Sequence, residues 1–132
     1  MIVFDSSALL AVLRNERGAA NVLALVNSDE MLFMHSVNLV EVFYDLSRSN
    51  DVLFARAAIE RFTQGGLIER TDLDIAFRED VAQLKADWRR VSLADCCGIA
   101  LARRLSAEVV TADHHELAAL DAANIARFEF FR

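Results

Sequence analysis

Apolar residues along the chain follow two alternating patterns. Short runs rich in β-branched and aromatic residues lie at 2–4, 31–34, 67–70, 108–111 and 126–131. Ile2-Val3-Phe4 has no polar alternation, as expected of a strand buried on both faces in the middle of a parallel sheet. The segments between these runs have helical spacing. They lie at 6–13, at 19–26 with Val22, Leu23 and Val26 on one face, and at 37–49 with Leu39, Val42, Phe43 and Leu46 on one side. A fourth begins near Asp51 and ends at Gly65-Gly66, a ready C-cap. A fifth is expected from Thr71-Asp72 to about Arg90, through Phe77, Val81, Leu84 and Trp88, and a last one covers about 116–122. Strands alternating with helices predict an α/β fold, a parallel sheet with helices on both faces.

Ser92-Leu-Ala-Asp95 has the spacing of a capping box, with Asp in place of Glu or Gln. It opens a helix of small residues, including Cys96, Cys97, Gly98, Ala100 and Ala102, suited to close approach to a sheet. On the 37–49 segment Glu41 falls opposite the apolar stripe, with Asn38, Tyr44, Asp45 and Arg48.

Length then bounds the architecture: 132 residues make one domain, 1–132, able to bury about two-thirds of its unfolded surface. No apolar run approaches the ~20 residues of a membrane span, and the start lacks a signal-peptide pattern, so a cytoplasmic protein is expected. The two cysteines are adjacent and have no spaced Cys or His partners, which makes them buried helix residues rather than a bridge or a zinc site. A net charge of −6 argues against holding nucleic acid by overall field. It is compatible with an enzyme whose acids surround divalent cations. Lys85 is the single lysine, so fixed-charge contacts to phosphate fall to arginine.

The acids carry the candidate chemistry. Asp5 and Asp113 each follow a strand, and parallel strands put both at the carboxyl edge, where open α/β sheets bind ligands. Asp95 lies in the first turn of the helix entering the later strand, and Glu41 in the first turns of the 37–49 helix. Singly, each has a plainer reading: Asp5 or Ser6 as a helix cap, Asp95 as a helix-start acid, Glu41 as a solvated residue, Asp113 as a turn former. Jointly they place four carboxylates at one edge, a cluster that needs protons or a divalent cation. Oxygen-only ligands favour Mg²⁺ or Mn²⁺, and such sites serve phosphate chemistry.

Val3-Phe-Asp5-Ser-Ser, Val40-Glu41-Val-Phe, Ser92-Leu-Ala-Asp95 and Val110-Thr-Ala-Asp113-His-His-Glu-Leu117 occur in an order that resembles the PIN-domain nucleases, most of all the VapC-type toxins of toxin–antitoxin pairs. The resemblance spans essentially the whole chain. It implies an α/β/α sandwich around a parallel sheet of four or five strands and a metal-dependent endonuclease acting on RNA. Asp5, Glu41, Asp95 and Asp113 would be the Mg²⁺ ligands, Ser6 and Thr111 polar supports, and Glu116 a candidate fifth acid. The implied mechanism activates a water that attacks a phosphodiester, leaving a 5′-phosphate and a 3′-hydroxyl. An antitoxin partner, seated partly on the helices at 37–49 and 51–64, and a homodimer are implied as well.

Other features have plainer expectations. Asp72-Leu-Asp74 reads as helix capping, and His114-His115 as a solvent-facing turn, since adjacent histidines do not form an i,i+4 zinc pair. Arg48, Arg89-Arg90 and Arg103-Arg104 read as solvated helix surface, with one or two near the site available to phosphate. Phe43, Tyr44 and Phe54 read as core. A phosphorylation-signalling receiver needs a lysine after its last core strand, whereas Lys85 falls within an expected helix. A non-catalytic interaction module of the same fold would leave the carboxylates apart.

Overall fold

The computed structural model describes residues 1–132. Five strands, β1 (Ile2–Phe4), β2 (Leu32–His35), β3 (Leu67–Arg70), β4 (Glu108–Thr111) and β5 (Arg127–Phe130), form one all-parallel sheet in the order β3-β2-β1-β4-β5. Helices α1 (Ser6–Leu13) and α2 (Ala19–Val26) connect β1 to β2, and α3 (Ser36–Ser49) and α4 (Val52–Gln64) connect β2 to β3. On the other half, α5 (Ile75–Asp87) and α6 (Leu93–Leu105) return the chain to β4, and α7 (His114–Ala122) leads to β5. The chain steps outward from β1 in one direction and then in the other. Right-handed crossovers therefore put α1–α4 on one face and α5–α7 on the opposite face.

The core divides accordingly. Ile2 and Phe4 pack with Leu9, Val22, Leu39, Val42 and Ala55, while Val3 packs with Phe77, Leu84, Ile99, Leu101 and Leu117. Successive β1 side chains point to opposite faces, so an apolar triplet serves both layers. Phe4 is fully buried, and Phe4→Ala would cost about 3–5 kcal/mol in transfer and cavity terms. On α6, Cys96 through Ala102 are all buried, and both cysteines are free. Burial pushes the Cys96 thiol up to about 11, so it is an inert packing group.

Several boundaries differ from the sequence expectation. The fifth helix begins at Ile75 and ends at Asp87. Asp74 is its cap, accepting from the Phe77 N–H, and Asp72 has a different task. Asp72 receives both Arg70 and Arg104, and Arg104 also grips Asp74 and lies 5.1 Å over the Phe77 ring. Arg103 is likewise paired, with Asp80. Neither is free helix surface. Tyr44 and Phe54, expected in the core, are 49% and 44% exposed. Asn38, expected beside the solvated Glu41, is wholly buried.

His35, at the end of β2, is buried and stacked 5.2 Å from Phe77. Its Nδ1 accepts from the Val37 N–H and its Nε2 lies 2.9 Å from the Asp72 carbonyl, which sets the Nε2–H tautomer. The ring thereby ties the sheet edge to the 71–74 connection.

Candidate metal centre

The chain reverses its direction across the sheet between β1 and β4, and the acids gather outside that point. In such sheets the strand ends leave a crevice at the reversal. Asp5 leaves β1 with its N–H donating to the Val110 carbonyl, and caps α1 by accepting from the Ala8 N–H through Oδ1. Oδ1 also takes the Ser7 hydroxyl at 2.6 Å, and Oδ2 takes the Thr111 hydroxyl at 2.5 Å. Both oxygens are thus committed to protein donors; Oδ1 has its two lone-pair sites filled and Oδ2 keeps one free. Burial raises the Asp5 carboxyl above its ordinary range, against the lowering effect of these hydrogen bonds.

Thr111 holds two acids at once. While its hydroxyl donates to Asp5, its Oγ1 accepts from the Asp113 N–H at 3.0 Å. Asp113 in turn caps α7, its Oδ1 accepting from the Glu116 N–H. The helix therefore starts at His114, two residues earlier than the spacing predicts. His114 stacks on Phe130 at 4.2 Å and its Nε2 lies 2.6 Å from the Arg132 carbonyl, so it fastens α7 to the chain end.

At the start of α6, Ser92 accepts from the Asp95 N–H, as a cap should, and donates its own hydroxyl to Asp95 Oδ2 at 2.7 Å. The short Asp side chain takes the hydroxyl proton in this box. The Asp95 carboxyl is pushed up to about 6, first by burial and further by the charges of Asp5, Glu41 and Asp113, with Ser92 opposing. Those three charges reach Asp95 from β1, α3 and the β4 end. The four sequence-predicted acids therefore share one electrostatic neighbourhood.

Their spacing is uneven. Asp95, Asp113 and Glu116 present oxygens that all lie within 4.8 Å of one another. Glu116 thus joins the tightest group. Glu41 enters from the α3 side, where Ser6 donates to its Oε2 at 2.6 Å. Asp5 forms the buried base. All donors are carboxylate oxygens, some already resisting ionisation, so the residues fit a hard divalent cation.

Two positioning groups had no distinct signal in the sequence. Ser7 donates to Asp5 and accepts from the Ala112 N–H at 2.9 Å, bridging the ends of β1 and β4. Asn38 donates through Nδ2 to the Ala94 carbonyl at 3.1 Å, immediately before Asp95. Its Oδ1 is buried without a partner, and a Cβ on Gly98 would stand 3.3 Å from it. Only a small residue at 98 lets α6 come this near α3. A buried polar side chain one turn before Glu41 is the available clue, and solvated neighbours on the same helix obscure it.

Residues 2–123 match the PIN domain family. The chain belongs to the PIN domain family. No curated protein sequence matches it. Among solved structures this PIN domain is similar to VapBC2 from Rickettsia felis bound to a promoter DNA fragment, at TM-score 0.74 and 15% identity, covering 98% of each chain. It is also similar to VapC20 from Mycobacterium tuberculosis, a sarcin-ricin-loop-cleaving toxin, at TM-score 0.73 and 18% identity, covering 90% of this chain and 95% of that one. A toxin–antitoxin complex from Klebsiella pneumoniae aligns at TM-score 0.71 and 16% identity, over 91% and 92%. At these identities the likeness shows the fold, an α/β PIN sandwich with a five-stranded parallel sheet.

Away from the acids this PIN domain carries an apolar groove of about 620 Å³, walled by Val12 and Leu13 of α1, Leu23 and Val26 of α2, and Phe54, Ala57, Ala58, Arg61 and Phe62 of α4. Of the two helices expected to seat a partner, α4 lines this groove and α3 does not. Lys85 donates to the Arg89 and Val91 carbonyls, so its ammonium is held by a turn and is not available for receiver chemistry. No helix is long and apolar enough to cross a membrane.

Proposed function

We propose that this PIN domain is a Mg²⁺-dependent endoribonuclease, with Mn²⁺ able to substitute, and the toxin of a toxin–antitoxin pair. The observation that carries the proposal is the convergence of Asp5, Glu41, Asp95 and Asp113 at one sheet edge, with the Asp95 carboxyl pushed up to about 6 by burial and by the other three. Asp95, Asp113 and Glu116, whose oxygens lie within 4.8 Å of one another, would hold the cation, with Glu41 contributing from α3. Asp5 is the buried anchor that sets β1 against β4 through Thr111. A divalent cation there would supply an activated water at neutral pH and charge neutralisation on the phosphate. The protein's own part is to hold the carboxylates fixed and close together, an arrangement that disfavours their ionisation until a cation is bound. Asp5, Asp95 and Asp113 each sit at a helix start, where the dipole favours a negative charge. Hydroxyls from Ser6, Ser7, Ser92 and Thr111 orient individual oxygens.

The partner reading rests on two supports. Several structural relatives are toxin–antitoxin complexes, and the groove between α1, α2 and α4 offers an apolar seat for the apolar face of an amphipathic segment. A homodimer acting in the cytoplasm belongs to the same proposal. The test is direct. Purified protein with Mg²⁺ or Mn²⁺ is incubated with structured RNAs, beside Asp95→Asn and Asp113→Asn, and expression is scored for growth arrest. Cleavage and arrest by wild type, both lost in the variants, are the expected results. No cleavage of any RNA, with Asp95→Asn arresting growth as wild type does, would overturn the proposal.

A further inference from the structure

We propose that the pocket beside Glu116, walled by Trp88, Arg89, Arg90 and His115, is a subsite for one nucleotide of single-stranded RNA flanking the phosphate to be cut; it rests on the nuclease reading above. The pocket measures about 340 Å³ and lies between the turn after α5 and the first turn of α7. Glu116 is common to this pocket and to the acid group with Asp95 and Asp113. A chain with its phosphate at the acids therefore has its next nucleotide at this opening. The volume is near the lower end of small-ligand sites, about 300–1,000 Å³, which suits a single unstacked nucleotide.

The charge distribution supports the same place: eight of the 13 arginines have no acidic partner, and among them only Arg89 and Arg90 are adjacent in the chain. Arg14, Arg70, Arg103, Arg104 and Arg132 are each bound to an acid. Arg89 and Arg90 are exposed, have no acidic partner and stand next to each other at the edge of the acid cluster. On a protein of net charge −6, a polyanion must find a local positive patch, and guanidinium is suited to phosphate and to stacking on a base. Asp87, also in the wall, accepts from the Gln83 amide at 2.9 Å and keeps its negative charge, against the two guanidiniums beside it.

The turn is built rather than loose. Lys85 Nζ lies 2.9 Å from the Arg89 carbonyl and 2.7 Å from the Val91 carbonyl, and the Val91 N–H donates to the Trp88 carbonyl at 3.0 Å. Trp88 is half-buried against the α5–α6 core and keeps part of its indole in the pocket wall, a ring on which a base can stack. The single lysine of the chain thus presents two arginines and a tryptophan to one cavity.

The experiment uses the full chain in the non-cutting Asp95→Asn background, with a fluorescent single-stranded oligoribonucleotide followed by anisotropy across a salt series. Adding Arg89→Ala with Arg90→Ala should weaken binding at least tenfold and flatten the log–log salt slope by about 0.7 for each phosphate no longer neutralised. In otherwise wild-type protein, the same pair should raise KM with little change in kcat, leave Mn²⁺ affinity unchanged, and be partly rescued by Arg→Lys at both positions. Trp88→Phe, which keeps a ring, should bind within a few-fold of the parent. Unchanged RNA affinity and salt slope in the double-alanine variant, with wild type still cutting RNA, would overturn the subsite alone. Failure of wild type to cut any RNA would instead overturn the nuclease reading.

Discussion

Replacing Asp95 by Asn in metal-free protein is expected to stabilise the fold above neutral pH. The carboxyl rises from an ordinary 3.8 to about 6, with burial the larger cause and the charges of Asp5, Glu41 and Asp113 adding to it. A folded-state value above the unfolded one means that the native state prefers the protonated acid. The penalty for ionising it is therefore absent below about pH 4, grows between 4 and 6, and is complete by pH 7. At about 1.36 kcal/mol per pH unit it amounts to roughly 3 kcal/mol. Asn removes the charge and keeps an oxygen that can accept the Ser92 hydroxyl. For a chain of this size about 3 kcal/mol corresponds to a rise in Tm on the order of 10 °C. The assay is a set of thermal melts by circular dichroism from pH 4 to 8, in EDTA and in Mn²⁺. In EDTA at pH 7.5 the variant should melt higher than wild type, and the two should converge at pH 4. In Mn²⁺ the order should invert, because only wild type gains the cation's binding energy. A variant that melts at or below wild type in EDTA at pH 7.5 would refute the electrostatic argument and make Asp95 chiefly a helix-start residue.

Further outcomes follow from single contacts. Thr111→Val keeps the shape but removes the donor to Asp5 and the acceptor for the Asp113 N–H; a loss of about 1–3 kcal/mol in denaturant melts, with weaker Mn²⁺ binding by titration, is expected. Asn38→Leu leaves the Ala94 carbonyl without its donor, so Tm should fall, by an amount equivalent to about 1–3 kcal/mol, and Mn²⁺ affinity should fall with it as Asp95 loses its register. Gly18→Ala meets a φ of +85° and places a Cβ 2.7–2.9 Å from Phe131 and Arg132 atoms, so chemical denaturation should show a loss of about 2 kcal/mol or more.

The parts of the molecule legible from the chain are those fixed by local pattern. Ile2-Val3-Phe4 announces a doubly buried strand, Gly65-Gly66 a helix end, and Ser92 a helix start, because each depends on a few neighbours. The gathering of acids is legible because parallel strand ends share an edge. What escapes depends on distant partners. Asp72 resembles a cap until Arg104, 32 positions away on α6, closes on it beside the neighbouring Arg70. Asn38 sits among polar residues on α3, yet α6, with Gly98 in its facing turn, buries it completely. Glu116 is a marginal candidate by order alone, and it joins the tightest group because Asp113 starts α7 two residues early.

The seam between β1 and β4 carries a consequence for timing. The Thr111–Asp5 hydrogen bond spans 106 positions, and the acids on its two sides come from the first and last thirds of the chain. Pairings of such long separation close late in folding, and a nascent chain emerges N-terminal end first. Asp5 and Glu41 can be in place on the ribosome while Asp95 and Asp113 are still unmade. On the nuclease reading, a site assembled across this seam stays incomplete until β4 docks beside β1, so no activity is expected while residues 95–113 are unmade.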